Sequence, residues 1–403
     1  MHTLISFLGS SRFDPATGYR KARYRFPDGH VAETPFISLA LAQQLQPDRV
    51  LILGTRGSMW PALIEHGLQG SPAAEDLRLR LMEASEQQAV TQADLDALAQ
   101  VARDALGREV SLHLIPYADS ADGQREILDL IAREVTRGRV SFDVTHGFRH
   151  LAMLGMLSAF MLSHARNLEV EGLWYGALDM TDRDSGLTPV VRLDGMLATK
   201  RWLSALVRLD ASGDFSVFAP LLKADGLEAN EANRLTRAWG LLMQNNVADA
   251  VRELQPLQRR LQTPLGGTSE LFRETLRKRL RWCEARDLGE QQRLLALQAL
   301  KRGDLLRASL LGFEAFLSRQ VLDQGGNPAV HEDKERAQKA FREELHAGDH
   351  ADWKKDAFHL LNNVRNACAH GTRPKNPKHQ KLLKNPDLLA DSLQTALGRL
   401  NTP

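Results

Sequence analysis

The chain has 403 residues, 43% of them hydrophobic and 25% charged, with a formal net charge of only +2. That composition is globular and long enough for two or three domains, and it excludes a disordered or strongly polycationic protein, so any basic surface must be local. Two cysteines far apart, Cys283 and Cys368, exclude a disulfide framework and a cysteine metal site, and they fit a reducing cytoplasm. No run of about 18 apolar residues is present, so no membrane span is expected. The opening "MHTLISFLGSSRFD" lacks a basic leader and a cleavage site and reads as a buried strand.

In chain order, short apolar runs at 4–9, 49–55, 110–116, 140–147 and 172–179 alternate with helix-like segments near 36–46, 73–106, 122–137 and 148–166. Continuous apolar strands joined by helices predict a parallel sheet covered on both faces. The expected fold is an α/β Rossmann-like domain over residues 1–190. Within it, "YRKARYRFPDGHVAETPF" places a Pro-Asp-Gly turn between two extended stretches, which predicts a β-hairpin inserted after the first strand. Its Arg20, Lys21, Arg23 and Arg25 read as a solvated face. After the turn formers of 181–189 the strand signal ends. A helical linker region is expected over 191–265 and an all-α domain over 266–403. There "LLRASLLGFEAFLSRQVL" sets Leu306, Leu310, Phe313 and Leu317 on one apolar stripe.

Ligands of open α/β sheets sit beyond the C-terminal ends of the strands. Those ends carry Gly9, Ser10, Ser11 and Arg12; Thr55, Arg56 and Gly57; and Thr145, His146, Gly147 and Arg149. Small hydroxylated residues, open backbone N–H groups and arginine forks make an anion cradle. No G-x-G-x-x-G follows a strand, which argues against a nicotinamide or flavin cofactor. His146 and His150 stand four apart, but no third ligand is in view, so no metal is expected.

The stretches "LISFLGSSRF", "ETPFISLALAQQLQPDRVLILGTRGSMW" and "FDVTHGFRHLAML" resemble the sensor domain of CRISPR-associated Rossmann-fold (CARF) proteins, in the branch whose second strand ends in GT-x-GSMW. The resemblance covers most of residues 1–180. It implies a cyclic oligoadenylate ligand made by type III CRISPR complexes, bound across a symmetric dimer interface. Cyclic tetraadenylate is favoured by that branch, and cyclic hexaadenylate is the other ring used in the family. Whether the sensor also degrades its ligand, with help from Ser10, Ser11 or Thr145, stays open.

Near the C-terminus, "LLNNVRNACAHG" (360–371) joins an apolar stripe of Leu361, Val364 and Cys368 to a polar stripe of Asn362, Asn366 and His370, with Arg365 beside it. Gly371 is the expected helix stop, and the helix dipole favours a protonated His370. Cutting RNA at its own 2′-hydroxyl needs an acid–base group and a cation, and no cofactor. His370 and Arg365 suit those roles. Polar residues at a helix end are also commonplace, so spacing alone leaves a solvated helix end open. "RNACAH" resembles the R-x4-H motif of HEPN ribonucleases, and the helix before it is similar to that family's long helix, over roughly 290–400. The resemblance implies that Arg365, Asn366 and His370 carry catalysis where two copies meet. The basic tail Arg373, Lys375, Lys378, Lys381 and Lys384 reads equally as an RNA guide or a solvated face.

The reading is a cytoplasmic, homodimeric or higher-order, metal-independent endoribonuclease of type III CRISPR defence. It cleaves single-stranded RNA and is switched on allosterically by cyclic oligoadenylate. The alternative is a non-catalytic cyclic-nucleotide-responsive regulator, transcriptional or otherwise, whose helical domain binds partners.

Overall fold

The first strand, β1 (His2–Leu8), is buried at every position. A strand buried along its whole length requires hydrogen-bonded neighbours on both edges and a packed layer on both faces. The computed structural model describes residues 1–11, 13, 14, 16, 18–67, 72–348 and 351–400, and supplies both. After β1 come the short pair β2 (Phe13–Asp14) and β3 (Gly18–Tyr19) and the hairpin β4 (Ala22–Arg25) and β5 (Val31–Thr34). They are followed by β6 (Arg49–Gly54), β7 (Glu109–Leu114), β8 (Arg139–Asp143), β9 (Glu169–Gly176) and β10 (Leu187–Arg192).

Eight of these form one sheet in the order β5-β4-β10-β9-β8-β1-β6-β7. The stretch from β9 to β7 is parallel throughout, with Leu8 beside Gly54 and Ser6 beside Asp143. Alternate residues feed two cores: Leu4, Leu8, Val50 and Ile52 on one face, Ile5, Phe7, Leu51 and Leu53 on the other. Helices α1 (Ile37–Leu45), α2 (Ala62–Gly67), α3 (Pro72–Glu86), α4 (Gln92–Leu106), α5 (Ala121–Glu134) and α6 (Arg149–Ala165) complete the layers. The N-terminal domain is thus the α/β fold the apolar runs predict, with the hairpin in place.

Three details differ from the sequence expectation. The helical pattern at 73–106 is two helices, because Gln88 takes a positive φ of 52° and Thr91 caps α4 in a capping box with Asp94. The turn-rich stretch after 181 leads into a further strand, β10, antiparallel to β9. Finally, β10 pairs with β4, so the hairpin is an extension of the main sheet, not a free-standing excursion.

The chain divides into compact units at Met1–Leu197 and Ala198–Pro403, a division that falls within α7 (Asp194–Ser212). Among the described residues the second unit is helical: α8 (Ala219–Ala224), α9 (Ala229–Met243), α10 (Val247–Arg260), α11 (Ser269–Leu280), α12 (Leu288–Lys301), α13 (Leu305–Asp323), α14 (His331–Ala347), α15 (Asp352–His370), α16 (Pro377–Leu383) and α17 (Pro386–Arg399). Helix α13 is buried on most sides, with Phe313, Phe316 and Leu317 inside but Leu306 43% exposed. The predicted single stripe is therefore too narrow, and it starts one turn too early. Phe313 and Phe316 of α13 meet Phe358 of α15, and Phe316 and Phe358 meet Phe341 of α14, with ring centroids 5.1–5.9 Å apart. This aromatic cluster fixes the helix that carries the R-x4-H residues. No helix among the described residues is long and apolar enough to cross a membrane.

Candidate functional site

In the N-terminal unit the chain leaves β1 toward β6 on one side, while β8 lies on the other. The switch point is therefore the crevice between the ends of β1 and β8. There Gly9 and Gly147 approach so closely that a β-carbon on Gly9 would lie 2.7 Å from the Gly147 nitrogen. Gly147 also has a φ of +91°, which favours glycine. The loop after β6 is tied to the same place. Ser58 Oγ accepts from the Thr55 N–H at 2.9 Å and donates to the Leu8 carbonyl at 2.7 Å, and the Met59 N–H donates to the Gly9 carbonyl at 2.9 Å. The fully buried Trp60 donates its indole N–H to the Thr55 carbonyl. The GT-x-GSMW stretch is thus a brace for this crevice, and within it Thr55 is spent on structure while Arg56 is exposed.

Beneath the loop after β8 lies Asp143, completely buried. Its Oδ2 accepts from Ser6 Oγ and Ser38 Oγ, both at 2.7 Å, and its Oδ1 accepts from the Thr145 N–H at 3.0 Å. One carboxyl group therefore joins β1, α1 and the loop. Thr145 is held from the other side, its hydroxyl accepting from the Gly176 N–H at 2.8 Å. His146 packs on Phe36, with ring centroids 5.4 Å apart, and its Nε2 accepts from the Ile37 N–H at 3.4 Å. Burial lowers its pKa, with Asp143 opposing, which agrees with an unprotonated Nε2.

A cleft of about 640 Å³ opens beside these residues, lined by Ser10, Ser11 and His146 and by Arg20, Lys21 and Arg23 of the hairpin region. Those three cations are exposed, as the solvated-face reading expects, and they also line this cleft. The available signal was their place directly after the first strand-end loop. Arg149 is exposed at the start of α6 and, like Thr145, Gly147, Thr55, Arg56, Gly57 and Gly9, does not line this cleft. Arg12 lies outside the described residues. His150 faces elsewhere than His146: its Nε2 pairs with the Tyr117 carbonyl at 2.8 Å and its ring stacks on Phe148. Among the described residues no three His, Cys, Asp or Glu side chains cluster so as to hold a metal ion.

In the second unit, α15 buries Leu360, Leu361, Val364 and Ala367 and ends at Gly371 in the left-handed conformation. Asn366 donates to Asn362 at 3.4 Å, along the predicted polar stripe. Arg365 instead lies over the Phe313 ring, 4.7 Å from its centroid. His370 is exposed at the last turn. Five residues turn a helix by about 140° beyond a full revolution, so one copy of α15 presents Arg365 and His370 to different sides.

Residues 3–178 match the family model described as the CARF domain of the CRISPR system endoribonuclease Csx1. The chain is 25% identical over 260 residues to the CRISPR-associated protein MJ1674 of Methanocaldococcus jannaschii, covering 59% of this chain. It spans about 40% of that relative's length. A solved structure, Enterococcus italicus Csm6 bound to cyclic hexa-2′-fluoro-hexa-dAMP, is similar at 14% identity over 100% of this chain and 94% of that one, with a TM-score of 0.39. Over residues 3–178, most of the first unit, the chain is thus similar to the CARF domain of Csx1.

Proposed function

We propose that the protein is a cyclic oligoadenylate-activated, metal-independent endoribonuclease that cuts single-stranded RNA in type III CRISPR defence. The observation that carries the reading is the cleft beside the switch point, where hydroxyls, a neutral imidazole and the cations Arg20, Lys21 and Arg23 outnumber the carboxylates Glu33 and Asp179. That set suits a small polyanion with bases: cations for phosphates, hydroxyls and His146 for base edges. Arg149, exposed at the head of α6, adds a phosphate contact from the crevice side.

The working end is α15. The substrate's 2′-hydroxyl attacks the adjacent phosphorus while the P–O5′ bond breaks, leaving a 2′,3′-cyclic phosphate and a 5′-hydroxyl. His370 moves the proton, Arg365 offsets the phosphate charge, and Asn366 orients the polar stripe. Since one helix splits Arg365 from His370, a homodimer supplies them to a shared cut site from two copies. Helix α6 offers a face for such pairing, with Met153 and Leu157, one turn apart, 69% and 50% exposed. The helices after the sensor relay the ligand signal.

The test uses the purified chain, end-labelled RNA and EDTA, with and without cyclic tetraadenylate or hexaadenylate. Ligand-dependent cuts ending in 2′,3′-cyclic phosphate are expected, and a deoxyribose at the cut site should block them. Ligand binding with no cleavage would instead favour the non-catalytic regulator. Loss of cleavage on chelation, or equal cutting of DNA, would overturn the mechanism.

A further inference from the structure

Helix α15 borders a second feature that the R-x4-H residues do not use. His379 of α16 is only 5% exposed, and its Nδ1 pairs with the Asn363 side-chain nitrogen at 3.0 Å. Around it lies a cleft of about 440 Å³ between α15, α16 and α17. Trp353, Lys355 and His359 line one wall, Lys378 and His379 another, and Arg399 the third. Asp356 is the only carboxyl group among the described lining residues, so three permanent cations face one acid. Trp353 is half-buried and His359 exposed, leaving aromatic surface open to the cleft.

The cleft is aligned with the motif. His359, Asn363, Asn366 and His370 stand at i, i+4, i+7 and i+11, one face of the helix. At 1.5 Å of rise per residue, Asn363 lies about 10 Å and His359 about 16 Å along the axis from His370. An extended strand with its phosphate at His370 therefore reaches the cleft within a short run. An aromatic platform beside several cations is the chemistry that holds a base and its flanking phosphates without reading sequence strongly.

We infer that this cleft is a nucleotide subsite for the RNA substrate, in which Trp353 stacks a base while Lys355, Lys378 and Arg399 hold neighbouring phosphates. The inference rests on the ribonuclease reading for its substrate class, but binding tests it separately from cleavage. The probe is a short fluorescent 2′-O-methyl oligoribonucleotide, which lacks the attacking hydroxyl, titrated onto the full chain at several salt concentrations. The exposed pair Lys355→Glu and Lys378→Glu should weaken binding about tenfold or more and flatten the salt dependence. Trp353→Leu should weaken it about tenfold at unchanged salt slope. The same charge reversal away from the cleft, Lys339→Glu on α14, should leave binding near wild type. With ligand-activated protein and cleavable RNA, the Lys355/Lys378 variant should lose activity through KM more than through kcat. Wild-type protein that binds the probe but cuts no RNA would sink the ribonuclease reading and leave the subsite standing. Failure of the probe to bind, or equal losses from Lys339→Glu and the cleft variants, would overturn the subsite.

Discussion

Gly9 and Gly147 meet backbone to backbone at the crevice between β1 and β8, with 2.7 Å separating the Gly147 nitrogen from where a Gly9 β-carbon would be. Neither side of that contact is a flexible side chain. Gly9→Ala must push the loop after β8 outward, at a cost of about 1–3 kcal/mol. The expected result is a lower midpoint of thermal unfolding together with a weaker response to cyclic oligoadenylate. An alanine variant that matches wild type in both would show that the loop position is not set by this contact.

Asp143 gathers Ser6, Ser38 and the Thr145 N–H around one buried carboxyl group. Asp143→Asn keeps the shape but turns an NH₂ toward donors. It should destabilise the first unit by about 1.5–3 kcal/mol, the range for a buried hydrogen bond to a charged group, whereas Ser38→Ala should cost about 1 kcal/mol. Urea unfolding followed by Trp fluorescence measures both. Equal, small losses would mean that the network carries little of the loop's order.

What the sequence shows of this architecture depends on how local the signal is. Strands such as "RVLILG" were legible because they are nearly continuous apolar runs, and β7 because Val110, Leu112 and Leu114 alternate with Glu109, Ser111 and His113. Strand β10 was not, because "LTPVVR" contains Pro189, follows a run of turn formers and gains its place by pairing with β9 and β4. That pairing of β4 with β10, invisible in the local sequence, also sets Arg23 at the cleft. On α15 the polar stripe and the glycine stop were readable from spacing. The position of Arg365 over Phe313 depends on a residue 52 positions upstream, and no helical pattern announces it.

The His146 ring should titrate below the 6.5 of an unperturbed imidazole, since burial lowers its pKa against the opposing pull of Asp143. His2 and His379 are shifted in the same direction, burial again the largest cause. With these folded values depressed, the unfolded chain binds more protons below about pH 6.5. Their stabilisation is fully present above that pH and is lost as pH falls from there through the lower folded values. Histidine-resolved NMR should find His146 neutral at pH 7, with Nδ1 carrying the proton. A midpoint at or above 6.5 would contradict the placement of its Nε2 against the Ile37 N–H.

In the proposed enzyme, sensing and cutting are separate and coupled, and one pair of titrations on two variants tests this. Arg149 is exposed at the crevice and His370 at the end of α15. A lost charge-assisted hydrogen bond costs about 1.5–3 kcal/mol, and in a symmetric dimer the loss occurs twice. Arg149→Ala should therefore need orders of magnitude more cyclic oligoadenylate for activation while keeping any slow ligand-free cleavage. His370→Ala should bind the ligand as wild type does and cut nothing. If Arg149→Ala binds and responds like wild type, or His370→Ala still cleaves RNA, the account is wrong at the site concerned.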